Sequence, residues 1–145
     1  MVHALSFSQI LGGAKVLGRD VPRSDIGWHA AVERGLPYAA LRSLARSVAF
    51  TDVELAGVIG IAKSTLNRRK HEGRFGVDES DRIYRTARVF ALAHAALGDP
   101  ENVGAWLREP NGALGGTAPL SLLRTEAGAR EAEALVGRFL FGGYS

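Results

Sequence analysis

The sequence predicts an all-α protein in which a helix-turn-helix half is followed by a smaller helical half. Apolar residues recur at helical spacing in almost every periodic segment, and no extended alternation of apolar and polar residues indicates a strand. Glycine, proline and capping residues divide these segments into short helices. The 145 residues, 46% apolar and 23% charged, suffice to bury a core and fold as one compact unit.

Three helices are predicted before residue 50. The first is short and lies near residues 7–11, while the pair Gly12-Gly13 and the stretch GRDVPRSD predict loop. The second spans residues 26–33 and stops at Gly35. The third begins at Pro37, which a first turn tolerates because its missing N–H would be unpaired there. Its apolar face carries Leu41, Leu44, Ala45 and Val48.

Residues 51–71 predict a helix-turn-helix. Thr51 and Glu54 form a capping-box pattern at the start of its first helix, and the second helix follows the break at Gly60, with Ser64 as its cap. The motif needs a small residue in the first helix, a turn residue tolerant of left-handed backbone, and apolar anchors on both helices. The matching residues are Ala56, Gly60, Leu55, Ile59, Ile61 and Leu66.

One anchor position of the motif departs from the pattern, because Arg69 stands where an apolar residue is usual. We expect the C-terminal end of the second helix to be less firmly packed, or its backbone to be slightly rotated. The same segment is also compatible with a helical hairpin whose basic end is only a solvated surface.

The second helix of the motif carries a concentration of basic residues. Residues 60–75 contain five Lys or Arg side chains against the single acid Glu72. If the motif binds DNA, its base-reading face comprises Lys63, Ser64, Thr65, Asn67 and Arg68. Arg and Asn side chains fit guanine and adenine edges, and the two hydroxyls suit phosphates. Sequence-independent backbone contacts would come from Arg69, Lys70 and Arg74.

Further helices are predicted in the second half. The longest spans residues 80–97 and ends at Gly98, and Asp99 with Pro100 opens the next, in which Trp106 is expected to be a core residue. The buried stripe of the long helix comprises Ile83, Ala87, Phe90, His94 and Leu97. A brief helix at residues 119–123 precedes the last one, at residues 125–140. The inward face of this last helix carries Ala132, Leu135, Val136 and Phe139.

Charge is distributed unevenly along the chain, whose formal net charge is +3. Residues 1–98 carry 14 Lys or Arg against 9 Asp or Glu, whereas residues 99–145 carry 4 against 6. The change near Gly98 is the clearest division by composition, although the helix at residues 80–97 is expected to bridge both sides. On that helix, Arg82, Arg85 and Arg88 are expected to form ion pairs with neighbouring acids, each worth little.

The sequence lacks the residues that several classes of function require. The chain has no cysteine, so it offers no disulfide, thiolate metal site or thiol nucleophile. Its four histidines lack metal-ligand spacing and no catalytic triad or carboxylate pair is evident, so we expect no enzyme, metal or cofactor. The N-terminus does not resemble a signal peptide, and no apolar run approaches the roughly 20 residues of a membrane span. We therefore expect a cytoplasmic protein with no membrane partner.

A series of ordered motifs follows the helix-turn-helix. It comprises Ser80-Asp81-Arg82 with Arg85, Gly98-Asp99, Trp106-Leu107, Pro110-Asn111, Leu114-Gly115-Gly116, Pro119-Leu120, Thr125-Glu126-Ala127-Gly128-Ala129, and Gly142 with Tyr144. With LGG, GLP and STLNRRK upstream, these motifs resemble the Xre/MbcA/ParS antitoxins of RES-Xre toxin-antitoxin systems over most of the chain. The resemblance divides the chain into an Xre-like helix-turn-helix region at residues 1–78 and a toxin-binding and dimerisation domain at residues 79–145.

The resemblance implies a type II antitoxin without catalytic activity. Its usual partner is a co-encoded toxin with a RES domain, a fold related to ADP-ribosyltransferases whose members degrade NAD. Binding to operator DNA, through which the antitoxin helps repress the shared promoter, is also implied. We expect a homodimer, because one recognition helix buries too little surface for specific affinity. The alternative is a helix-turn-helix regulator of transcription without a toxin partner.

The C-terminal tail holds the candidate toxin contacts, which are Phe141, Gly142, Gly143, Tyr144 and Ser145. An aromatic side chain that enters a partner's pocket buries apolar area worth about 25 cal/mol per Å², and tyrosine is a frequent interface anchor. Two features depart from the family: the ending FLFGGYS replaces more basic or acidic endings, and Ala118 stands where a better cap usually precedes the proline. The alternative for the tail is that its aromatic side chains fold back on the core.

Overall fold

The computed structural model describes residues 5–142, with the backbone alone for residues 141 and 142. These residues form helices and no sheet, which confirms the predicted all-α class. The α-helices are α1 (Phe7–Ile10), α2 (Gly13–Leu17), α3 (Asp25–Arg34), α4 (Tyr38–Arg46), α5 (Asp52–Val58), α6 (Lys63–Glu72), α7 (Val77–Leu97), α8 (Pro100–Arg108) and α9 (Glu126–Gly137). Two 3₁₀ turns, Gly112–Leu114 and Pro119–Leu122, lie between α8 and α9, and a π-helical turn, Arg138–Gly142, follows α9. In this described part, no helix combines the length and apolar character that crossing a bilayer requires.

The long helix α7 is the centre of the fold. It packs against α1, α3 and α4 of the first half and against α8 and α9 of the second. Its predicted buried stripe is confirmed at Ile83, Ala87, Phe90 and His94, whereas Leu97 at its end is only partly buried. The imidazole Nε2 of His94 hydrogen-bonds the carbonyl oxygen of Ser47, so α7 also fixes the end of α4. Both halves of the chain therefore share one hydrophobic core.

Helix α8 is joined to the first half by a close approach at Gly104. A Cβ at this position would lie 2.3 Å from the Val48 carbonyl oxygen, so only glycine fits. Nearby, Nη2 of Arg108 lies 2.9 Å from Oε2 of Glu54 on α5. Thr51 accepts the Glu54 N–H as predicted, but the Glu54 carboxylate binds Arg108 instead of completing the capping box.

Two local features differ from the sequence-based expectation. The sequence does not predict α2, in which Val16 packs against the core. Helix α6 begins at Lys63 with Ala62 as its N-cap, so Ser64 lies inside the first turn and does not cap it. As a result, the first turn of α6 has no side-chain cap, and the Ser64 hydroxyl remains on the exposed surface.

Candidate nucleic-acid interface and C-terminal surface

Helices α5 and α6 form the predicted helix-turn-helix. The chain turns between them at Gly60, whose φ of +83° favours glycine. The Ile61 N–H donates to the Ala56 carbonyl oxygen at 2.8 Å, which ties the turn back to α5. The apolar anchors of the motif are at most 4% exposed, and they are Leu55, Ala56, Ile59, Ile61 and Leu66.

The outer face of α6 carries most of the predicted DNA contacts. The exposed members are Lys63, Ser64, Asn67, Arg68 and Lys70, and Thr65 is partly buried. Within residues 5–142, no carboxylate pairs with Lys63, Arg68 or Lys70. Uncompensated positive charges on one exposed helix are the electrostatic pattern of a phosphate-binding surface.

The arginine at the anchor position is held against α7. Nε of Arg69 lies 2.7 Å from Oε1 of Glu79, Nη2 lies 3.2 Å from Oε2 of the same carboxylate, and Nη1 lies 2.9 Å from Glu72. This ion pair takes the place of an apolar anchor, and the Arg69 side chain is only 22% exposed. The Arg69 side chain therefore packs α6 against α7, and its contact with a DNA phosphate stays a prediction. Nη1 of Arg74 also donates a hydrogen bond to the Gly35 carbonyl oxygen.

The contact between Arg69 and Glu79 makes stability depend on pH. Partial burial alone raises the pKa of the Glu79 carboxyl, but hydrogen bonds from Arg69 and from the Gly76 N–H outweigh burial and hold this pKa below its usual value. The stabilisation is therefore complete above the ordinary Glu pKa near 4.5 and is lost as the pH falls through the lowered value.

We expect the Glu79→Gln variant to have a lower free energy of unfolding than the wild type at neutral pH, because it loses this ion pair. The difference between the two proteins should shrink on acidification. Urea unfolding at a series of pH values from about 7 to about 3 measures it. A difference that stays constant over this range would show that the ionised Glu79 carboxylate does not stabilise the fold.

An apolar patch lies where the ends of α7, α8 and α9 meet. A small cavity of about 80 Å³ is lined by Ala96, Leu97, Trp106, Val136 and Phe139. The inward position predicted for Phe139 is wrong, since its side chain is 52% exposed. The π-helical turn after α9 is wider than an α-helical turn, which changes the angular position of the residues in it. Trp106 is partly buried and packs at the edge of the core.

The predicted toxin contacts follow directly after this apolar patch. Gly143, Tyr144 and Ser145 lie outside the described residues, and Phe141 and Gly142 are described by their backbone within the π-helical turn. Their role in contacting a toxin stays a prediction. The described part of the chain contains no group of three or more His, Asp or Glu side chains placed to hold a metal ion.

Comparisons with known proteins agree with this arrangement. Residues 27–88 match the Antitoxin Xre-like helix-turn-helix domain, and residues 92–142 match the Antitoxin Xre/MbcA/ParS C-terminal toxin-binding domain. Antitoxin Xre of Yersinia enterocolitica is 34% identical over 117 residues, covering 79% of this chain and 79% of the relative. Antitoxin Xre of Photorhabdus laumondii is 32% identical over 118 residues, covering 79% of this chain and 78% of the relative. Antitoxin Xre of Pseudomonas putida is 29% identical over 119 residues, covering 81% of this chain and 74% of the relative. The chain therefore belongs to the Xre family of antitoxins, with a helix-turn-helix domain followed by a C-terminal toxin-binding domain.

Proposed function

We propose that this Xre antitoxin inhibits a co-encoded RES-domain toxin that degrades NAD, and that it represses their shared operon as a homodimer. The observation that carries the proposal is that one chain with one core holds both an exposed basic α6 and a region matching a toxin-binding domain. The identity of the toxin rests on the motifs between residues 80 and 144, which resemble those of antitoxins paired with RES toxins. The antitoxin acts by binding alone.

The exposed face of α6 is the proposed reading surface for operator DNA. Its first turns enter the major groove, where Asn67 and Arg68 reach base edges and Lys63 reaches bases or phosphates. Ser64 and Thr65 bind phosphate through their hydroxyls, and Lys70 and Arg74 contribute sequence-independent backbone contacts. A second copy of the chain places a second α6 on the other half-site, which supplies the buried surface that a single helix lacks.

Inhibition of the toxin by the antitoxin is tested in cells. The gene that neighbours the antitoxin gene is expressed alone and together with the antitoxin, and growth and the cellular NAD pool are measured. We expect the neighbour alone to arrest growth and deplete NAD, and co-expression to restore both. Normal growth and an undiminished NAD pool with the neighbour alone would favour a helix-turn-helix regulator without a toxin partner.

Binding of α6 to operator DNA is tested with the Arg68→Ala variant. Loss of one bidentate base contact costs about 1–3 kcal/mol, so operator affinity should fall roughly 5- to 150-fold while toxin inhibition is unchanged. Fluorescence anisotropy at fixed salt on the DNA immediately upstream of the operon measures the affinity. Arg130→Ala is the matched control, because it removes the same charge from an exposed position on α9. An Arg68→Ala variant with wild-type operator affinity would mean that the helix-turn-helix half is structural.

A further inference from the structure

An open depression lies beside the helix-turn-helix, where α5 ends and α6 begins. It has a volume of about 530 Å³, and three cations line it: Lys63, Arg82 and Arg124. No carboxylate is among its described lining residues. The three cations come from α6, from α7 and from the segment just before α9, so the second half of the chain contributes directly to this surface.

Two of these cations are held in place by backbone carbonyl groups of the motif. Nη1 of Arg82 donates to the Gly60 carbonyl oxygen at 2.9 Å, and Nη2 of Arg124 donates to the Gly57 carbonyl oxygen at 3.2 Å. The Arg124 side chain lies across Gly60, where a Cβ would meet its Cγ at 3.4 Å. The ion pairs that the sequence predicts for Arg82 do not form among residues 5–142. Neither guanidinium has a paired carboxylate among residues 5–142, and each has further N–H donors for a ligand.

The depression is continuous with the proposed DNA-reading face, because Lys63 belongs to both. Arg82 and Arg124 therefore lie beside the helix on which a duplex would be bound. Guanidinium groups form short charge-assisted hydrogen bonds to phosphate oxygens, and a concave wall with charges of one sign concentrates the attraction.

We propose that Arg124, together with Arg82, binds a backbone phosphate of the operator, so that the toxin-binding half of the chain supplies part of the DNA interface. This inference rests on the proposed DNA-binding role of α6. The competing explanation is that Arg124 only caps the C-terminal carbonyl groups of α5. Glutamine and lysine substitutions separate the two, since glutamine keeps an N–H donor without the charge and lysine keeps the charge.

The test compares the wild type with Arg124→Gln and Arg124→Lys in the full-length protein. Binding to the DNA immediately upstream of the operon, and to a random-sequence duplex of equal length, is measured over a salt series. For Arg124→Gln we expect the slope of log affinity against log salt to decrease by about 1, with similar losses of affinity on both duplexes. Arg124→Lys should keep the wild-type slope, and the Tm of both variants should match the wild type.

Arg130→Gln is the matched control for net charge and should leave the slope unchanged. A wild-type slope in Arg124→Gln would overturn the inference. A loss of toxin inhibition with operator binding intact would also overturn it, because Arg124 would then contact the toxin and not the DNA. Should Arg124→Gln fail to fold, Arg82→Gln carries the same test, with the same expected decrease of about 1. If Arg68→Ala weakens binding and neither Gln variant does, only this inference fails. If the wild type binds neither duplex, the proposed DNA-binding role fails with it.

Discussion

Replacement of Phe90 by alanine is expected to lower the stability of the whole chain. The Phe90 side chain is fully buried on α7, the helix that packs against both halves. A buried Phe→Ala substitution costs about 3–5 kcal/mol, because transfer free energy is lost and a cavity remains. That is a large part of the 5–15 kcal/mol typical of a folded domain, and for a chain of this size it lowers Tm by roughly 6–20 °C.

Thermal unfolding followed by circular dichroism measures this effect. Ile26→Ala is the matched control, since its side chain is 80% exposed on α3 and the change should stay within about 0.5 kcal/mol. Because both halves share one core, operator binding and toxin inhibition by Phe90→Ala should be lost at the same reduced temperature. Two separate transitions, only one of which shifts, would contradict the shared core.

Deletion of residues 141–145 is expected to abolish toxin inhibition and leave operator binding intact. The deletion removes Phe141 and Tyr144, and interface anchors of this kind contribute about 2 kcal/mol or more each, or roughly 30-fold or more in affinity. It leaves α9 complete, because that helix ends at Gly137, and shortens only the π-helical turn that follows, by two residues. The far-ultraviolet circular dichroism of the truncated protein should therefore match that of the full chain.

Single substitutions show whether the aromatic rings are responsible. Tyr144→Ala should weaken inhibition of the purified toxin, whereas Tyr144→Phe keeps the ring and should retain most of it. Isothermal titration gives the affinity of each variant. Complete protection by the protein that lacks residues 141–145 would remove the tail from the mechanism.

Local patterns were enough to predict the helix-turn-helix and its buried anchors. The small residue Ala56, the turn at Gly60 and the anchor Leu66 depend on spacing along one short segment, and all three stand where the pattern requires. The buried stripe of α7 was predictable for the same reason, since residues three and four apart share one face of a helix. The family resemblance rests on the order of many such short motifs.

Contacts between distant segments were not predictable. Arg69 interrupts the anchor pattern, and only its position opposite Glu79 on α7 shows why the interruption is tolerated. The capping box at Thr51 fails because Glu54 meets Arg108, which is 54 residues away in the sequence. The sequence alone does not single out Arg124, because its contact with Gly57, 67 residues away, leaves no local signal.

We propose that this antitoxin silences an NAD-degrading toxin by binding it and performs no chemistry itself. The most direct measurement is the rate of NAD consumption by the purified product of the neighbouring gene, titrated with the purified antitoxin. We expect the rate to fall to zero at a fixed molar ratio and the antitoxin alone to consume no NAD. A rate that stays constant in an excess of antitoxin would contradict it.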